Sequence, residues 1–313
     1  MKQPLYQPRI VSELLKRHSF VIKKSLGQNF LVDGHILDSI VDAALEGAPS
    51  QGTKIAIEIG PGIGTLTQAL VKGGFDRVIT IEKDKRLQPL LQETLGDYEE
   101  VDIRFEDALQ FDFEHLFSQL PKDATICFAA NLPYYITTPL IMHVVEYRLP
   151  FSRIVVMVQK EVAERMVARP GGKDYGALSV AVQYYCQAKI VTVVPGTCFM
   201  PKPDVESAVI SLERIDHGFD CDQVAFFRVV RGAFAKRRKT LENTLAMEFG
   251  LAKPVVRTWL QTAGIDGMRR GETLSLQEFA LLSKHFEQFV SSSDRKVTTY
   301  EVHESNKRQY DDQ

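Results

Sequence analysis

Short apolar runs and amphipathic stretches alternate along the chain from about position 55 to 215. The runs KIAIEIG (54–60), RVITIEK (77–83), VDIRFED (101–107), ATICFAAN (124–131) and RIVVMVQ (153–159) are rich in β-branched residues and have the length of strands. Between most of them lie stretches such as GTLTQALVKGG and KRLQPLLQETLG, whose apolar residues recur with helical period. Strands alternating with helices predict a parallel sheet with crossover helices, a doubly wound α/β core. Two later runs, AKIVTVVPG (188–196) and SAVISLERI (207–215), have no helix-length stretch between them. They predict an antiparallel pair at one edge of the sheet.

The texture differs at both ends. Before Ile55 the pattern predicts a short helix over 9–17, a polar loop, and a second helix over 33–46. From about Asp220, QVAFFRVVRGAFAKRRKTLENTLAMEFG, PVVRTWLQTAG and SLQEFALLSKHFEQFV are helical patterns separated by Gly and Pro, which predicts a small all-α domain. The stretch 291–313 is polar, mixed in charge and poor in residues to bury, so a disordered tail is expected. The expected organisation is an α/β domain over 1–216 with a helical extension over 1–50, a helical domain over 217–290, and the tail.

Composition adds mostly exclusions. A chain of 313 residues with 44% hydrophobic and 25% charged residues is ordinary for a globular protein. The formal net charge of −2 leaves room for a local basic face. Cys127, Cys186, Cys198 and Cys221 form no CxxC pair and no metal-like spacing with His, so reduced thiols and no metal site are expected. The opening MKQPLYQPRIVSELLKR lacks the apolar run of a signal peptide, and no stretch has the length of a bilayer span. A cytoplasmic protein is expected, and the absence of any coiled-coil signature favours a monomer.

Candidate chemistry begins at EIGPGIGTLT (58–67), which follows a strand and opens a helix. Gly60, Gly62 and Gly64 permit a sharp turn and close approach of backbone to a ligand, although a tight strand–helix turn alone would explain them. The spacing is not the dinucleotide fingerprint, and Glu58 just before the loop suits a cationic ligand better than a pyrophosphate. Glu82 closes the second strand, where a carboxylate can accept from both ribose hydroxyls; Asp84 is its neighbour and rival, and a solvated strand-end charge is the plainer reading. Asp107 closes the third, placed either to accept from the amine of an adenine or to cap a turn. All lie at carboxyl ends of successive strands, the edge where open α/β sheets bind ligands. Together they outline an adenosine without phosphates, and S-adenosylmethionine fits best.

ANLPYYITTPL (130–140) ends the fourth strand. The amine of adenine is a weak nucleophile because its lone pair is delocalised into the ring. The Asn131 side-chain oxygen and the Leu132 backbone carbonyl are placed to accept its two N–H bonds and so favour a pyramidal nitrogen. Pro133 fixes its own φ, and Tyr134 is placed to stack on the base. Between Arg228 and Lys239 lie six basic residues and no acidic one. On a continuous helix, positions 228, 231, 238 and 239 share a face. Such a cluster is a solvated face unless something near it binds nucleic acid; beside a base-binding pocket it reads as a phosphate-contact surface. Lys23 and Lys24 would extend it.

SLGQNFLVD (25–33), EIGPGIGTLT, NLPYYITTPL, FMPKPDVESAV (199–209) and RGAFAKRRKTLENTL (231–245) together resemble the ribosomal RNA adenine dimethyltransferase family, most of all its bacterial small-subunit (16S) branch. The resemblance spans roughly residues 9–285. It implies a Rossmann-like class I methyltransferase sheet, mostly parallel with an antiparallel edge strand, and a smaller C-terminal all-α domain. The implied cofactor is S-adenosylmethionine, held by Gln28, Asn29 and Leu31 at the methionine end and by Gly60, Gly62, Glu82, Asp107 and Asn131. The implied target-base pocket is Asn131, Leu132, Pro133 and Tyr134, with Phe199 as the opposing ring. The implied RNA contacts are Arg231, Lys236, Arg237, Arg238 and Lys239. The implied reaction is dimethylation of N6 on two adjacent adenines in the 3′-terminal hairpin of small-subunit ribosomal RNA, in a pre-30S particle late in assembly. Its rivals are dimethylation of one large-subunit adenine and a binding protein that kept only the fold. The presence of Glu82, Asp107 and Asn131 argues against the latter.

Overall fold

The computed structural model describes residues 3–22, 28–132, 136–146 and 150–290. Lys23, Lys24, Pro133, Tyr134 and the expected tail over 291–313 lie outside them. The chain forms two compact units, one of Met1–Ala163 with Cys186–Arg214, the other of Glu164–Tyr185 with the chain from Ile215 onward.

In chain order the first unit contains α1 (Pro8–Arg17), β1 (Phe30–Leu31), α2 (Gly34–Leu45), β2 (Lys54–Ile59), α3 (Thr65–Lys72), β3 (Arg77–Ile81) and α4 (Gln88–Leu95). It continues with β4 (Val101–Arg104), α5 (Phe113–Ser118), β5 (Thr125–Asn131), α6 (Thr137–Glu146) and β6 (Arg153–Gln159). Helix α7 (Lys160–Val167) leads into the second unit and α8 (Ala177–Tyr185). The chain returns to the first for β7 (Cys186–Val194), β8 (Phe199–Met200) and β9 (Ser207–Arg214).

The seven-stranded sheet has the order β4-β3-β2-β5-β6-β9-β7. Strands β4, β3, β2, β5 and β6 run parallel, and β9 is antiparallel to both β6 and β7. The expected antiparallel pair is therefore present, with β9 one position in from the edge and β7 outermost. Central strands must be apolar on both faces. In β2, Ala56 sits level with Val78 and Cys127 and packs with Leu37, Ile40 and Val41 of α2, while Ile55 and Ile57 on the alternate positions are equally buried. Asp33 starts α2 by accepting from the His35 and Ile36 amides at 3.0 and 3.2 Å.

Because β2, β3, β4 and β5 are parallel, Ile59, Ile81, Arg104 and Asn131 end along one edge of the sheet. Successive strands step away from β2 in one direction through β3 and β4 and in the other through β5. The crevice between those two directions is where a doubly wound sheet opens to a ligand. A two-residue ladder, invisible in the sequence pattern, adds a wall. Phe30 and Leu31 of β1 pair with Met200 and Phe199 of β8, and the Val32 amide donates to the Cys198 carbonyl at 2.8 Å.

The second unit adds α9 (Gln223–Phe234), α10 (Leu241–Glu248), α11 (Lys253–Thr262), α12 (Leu276–Lys284) and α13 (Phe286–Phe289). Phe226, Trp259 and Phe279 are fully buried, and the Trp259 indole donates to the Leu282 carbonyl at 2.9 Å. The basic run corrects the reading of one continuous helix: α9 ends at Phe234, and Lys236–Lys239 form a turn closed by the Lys239 amide on the Lys236 carbonyl at 3.1 Å. Four successive cations have no apolar anchor, and extended Thr240 restarts the chain as the N-cap of α10. The reversal also lets Phe249 approach Gly232 so closely that a Cβ there would lie 2.9 Å from its ring.

Candidate active site

The glycine loop joins β2 to α3 at the open edge of the sheet. Its start is tied to the neighbouring strand by the Gly60 amide on the Ile81 carbonyl at 2.9 Å. Gly60 has φ +70° and a Cβ there would meet nothing within 4 Å, so the missing side chain leaves open space beside backbone that favours glycine. Gly62 has φ +59°, and a Cβ there would press on the Phe30 ring at 3.2 Å. The loop and the β1 segment thus close against each other.

Between them lies a cavity of about 340 Å³, within the usual range for small-molecule sites. Leu31 lines it from β1 and Gln28 and Asn29 from the residues just before that strand, Gly60 and Gly62 from the loop, and Glu82, Asp107 and Asn131 from the ends of the following strands. Every expected cofactor residue therefore opens on one cavity. Its apolar walls, among them Ile59, Ile81, Ala108, Leu109 and Ile136, carry no chemical signature and escaped the sequence reading.

Burial and hydrogen bonding separate the acids. Glu82 is 7% exposed, and its Oε1 accepts from the Asp84 amide at 2.7 Å. Burial pushes its pKa up to about 7, against the opposing pull of the Asp84, Gly62 and Lys83 amides. Its sequence rival Asp84 is engaged elsewhere: Arg86 grips it, Gln28 Nε2 donates to its Oδ2 at 3.0 Å, and its pKa is lowered chiefly by Arg86. Asp107 Oδ1 accepts from the Leu109 amide at 3.1 Å, the turn bond that the plainer reading expects, yet the same residue faces the cavity.

Glu58 differs from the charged group its sequence position suggests. It is 1% exposed, accepts from the Thr67 hydroxyl at 2.6 Å, and is pushed up to about 8 by burial, with help from the Glu82 charge. At neutral pH its carboxyl is mostly protonated. No sequence signal reports this, because it depends on how completely α3 and the neighbouring strands cover the end of β2.

Asn131, half-buried at the end of β5, donates from Nδ2 to the Asn29 carbonyl at 2.9 Å. That bond commits the nitrogen and fixes the amide plane, leaving Oδ1 as the acceptor on the other side. Leu132 follows and is buried. Phe199 stands apart from the cavity wall: it is 5% exposed and packs with Leu31, Leu37 and Cys198 in the core. In the second unit Arg231 and Lys236, Arg237, Arg238 and Lys239 are exposed, whereas Arg228 is half-buried over the Phe286 ring, 4.7 Å from its centroid. Arg228 thus packs with the helical core. Among the described residues, no group of three His, Cys, Asp or Glu side chains is gathered as a metal requires, and no helix is long and apolar enough to cross a membrane.

Comparison with known proteins gives concordant results. The model of the family described as ribosomal RNA adenine dimethylase matches residues 19–288. A protein named ribosomal RNA small subunit methyltransferase A from Bacillus pumilus (strain SAFR-032) is 47% identical over 290 residues, covering 90% of this chain and 97% of that one. Its namesake from Alkaliphilus oremlandii (strain OhILAs) is 45% identical over 282 residues, covering 89% and 96%. Among solved structures, a dimethyladenosine transferase from Plasmodium falciparum superposes with a TM-score of 0.65 at 26% identity, over 81% of this chain and 95% of that one. The 23S rRNA methyltransferase ErmE shares the fold, with a TM-score of 0.60 at 22% identity over 83% and 100%.

Proposed function

Because the chain belongs to the ribosomal RNA adenine dimethylase family, we propose that it methylates N6 of two adjacent adenosines in the 3′-terminal hairpin loop of small-subunit ribosomal RNA, with S-adenosylmethionine as donor. The substrate is a pre-30S particle late in assembly, in the cytoplasm, and the enzyme acts as a monomer. The observation that carries this reading is Asn131, whose nitrogen is tied to the Asn29 carbonyl and whose oxygen is left to accept.

The cavity fits an S-adenosyl group on chemical grounds. Space beside Gly60 admits a ligand against the backbone, and Glu82 and Asp107 offer acceptors for ribose hydroxyls and an aromatic amine. Gln28, Asn29 and Leu31 would hold the amino-acid end, beside the first turn of α3. When bound, the cofactor supplies a methyl group activated by a sulfonium. Asn131 Oδ1 and the Leu132 carbonyl each accept one N–H of the target amine, which draws its nitrogen out of conjugation with the ring. Pro133 and Tyr134, which lie outside the described residues, are assigned in this proposal to the target-base pocket, Tyr134 as the stacking ring on one face. Phe199, which packs in the core beside its strand partner Leu31, is the ring proposed for the other face. Positioning and oriented acceptors do the work, with no strong base required. Arg231 and Lys236–Lys239 would hold structured RNA by its phosphates, orienting it without reading sequence.

The test is transfer from labelled S-adenosylmethionine to unmethylated small subunits and, separately, to large-subunit RNA, followed by mapping of dimethyladenosine. Dimethylation of two neighbouring small-subunit adenines is expected. Label confined to large-subunit RNA would overturn the substrate, and no transfer to any RNA would leave a binding protein.

A further inference from the structure

Lys83 follows Glu82 on the cavity wall, and its Nζ lies 2.7 Å from Asp107 Oδ2. The Leu109 amide donates to Oδ1 of the same carboxylate at 3.1 Å. One oxygen is thus gripped from the end of β3 and the other from Asp107's own turn, so the carboxylate cannot rotate without giving up a partner. Each oxygen retains a second lone pair. Burial draws the Asp107 pKa up, but Lys83 and the Leu109 amide outweigh it and hold the group below its ordinary value. Glu82, Asp84 and Glu106 also line the cavity. Arg86 and Gln28 occupy Asp84, while Lys83 is the cation on Asp107.

An ammonium at this place calls for an explanation. The Lys83 side chain is 68% exposed and its pair with Asp107 adds little to folding. Unpaired, it would oppose a cationic ligand in a cavity whose other ionisable lining residues are acids. Paired, its charge is cancelled and its effect is geometric. We propose that Lys83 is a positioning residue of the adenine subsite: its ammonium fixes the Asp107 carboxylate so that the remaining lone pairs meet the exocyclic amine of a bound adenine nucleoside. This rests on reading the cavity as an S-adenosyl site.

The experiment is calorimetric titration of S-adenosyl-L-homocysteine into the full-length protein and its Lys83→Met, Lys83→Arg, Asp107→Asn and Lys83→Met/Asp107→Asn variants, at pH 7 and pH 5. Lys83→Met should weaken binding about fivefold at pH 7, the scale of a part-exposed ion pair. The loss should deepen at pH 5, because burial no longer opposed by Lys83 lets Asp107 protonate at a higher pH. Lys83→Arg should restore most of the affinity, and Lys83→Met should cost nothing further once Asp107 is Asn. An unchanged Lys83→Met affinity at both pH values overturns the proposal. So does an equal Lys83→Met loss in the Asp107→Asn background, which would make Lys83 a direct ligand contact. Wild-type protein that binds no S-adenosyl-L-homocysteine overturns the cofactor reading and this proposal with it.

Discussion

Replacing Glu58 by Gln should stabilise the ligand-free protein, and increasingly so as pH rises. Glu58 is enclosed at the end of β2, with its pKa raised from the ordinary 4.5 to about 8 by burial, the Thr67 hydroxyl opposing and the Glu82 charge adding to the rise. A carboxyl raised on folding binds more protons in the folded chain than in the unfolded one at intermediate pH. Stability is therefore full below about 4.5 and falls as pH climbs to about 8. At roughly 1.4 kcal/mol per pH unit, moving from pH 5.5 to 8 costs the wild type roughly 3 kcal/mol through this residue alone. Gln cannot ionise, and its carbonyl still accepts from Thr67. Urea denaturation followed by circular dichroism at both pH values, without ligand, measures the effect. The stability difference should move by roughly 3 kcal/mol in the variant's favour between pH 5.5 and 8. A difference independent of pH would refute a neutral buried Glu58. The gain should also cost function: a cationic cofactor draws the proton off Glu58, so the Gln variant should bind it more weakly and release fewer protons on binding.

Two further outcomes follow from the site and the basic turn. Asn131→Ala should reduce methyl transfer by at least about a hundredfold, the scale for loss of one oriented polar group in a transition state, while binding of RNA and of S-adenosyl-L-homocysteine persists. Asn131→Asp should fail too, because it keeps an acceptor but faces the Asn29 carbonyl without a donor; full activity in either variant would remove the acceptor role. Charge reversal at Arg237 and Arg238 should weaken RNA binding in filter-binding titrations and flatten its dependence on salt. Equal affinity across several salt concentrations would remove the turn from the RNA surface.

The strands were legible because β-branched runs between Gly- and Asp-rich breaks have few other uses. The observed spans of β2 to β6 and of β9, such as Lys54–Ile59 and Arg153–Gln159, lie within the expected runs, whereas β7 (Cys186–Val194) begins before its expected run over 188–196. Parallel pairing then placed Glu82, Asp107 and Asn131 at one edge, since crossover helices leave successive strands pointing the same way. Features that depend on tertiary contact were not legible. A two-residue strand has no period, so the β1–β8 ladder left no trace. The protonation of Glu58 depends on coverage, and the Lys83–Asp107 pair joins two loops that local sequence does not relate. The turn at Lys236–Lys239 was misread because Arg and Lys are good helix formers, and local propensity was overruled by α10 folding back on Gly232.

The ladder between β1 and β8 has a consequence in time. Leu31 meets Phe199 only after the intervening chain exists. At the usual pace of synthesis, a separation of about 170 residues takes on the order of 10 to 30 s. Until then the segment bearing Gln28, Asn29 and Leu31 has its strand partner still unmade, and the Asn131 amide, made well before Phe199, waits for its brace. The cavity is finished by one of the last pieces of the first unit to leave the ribosome. A nascent chain should therefore present the glycine loop and its acids before it can retain a cofactor, with capture arriving in one step as β8 and β9 emerge.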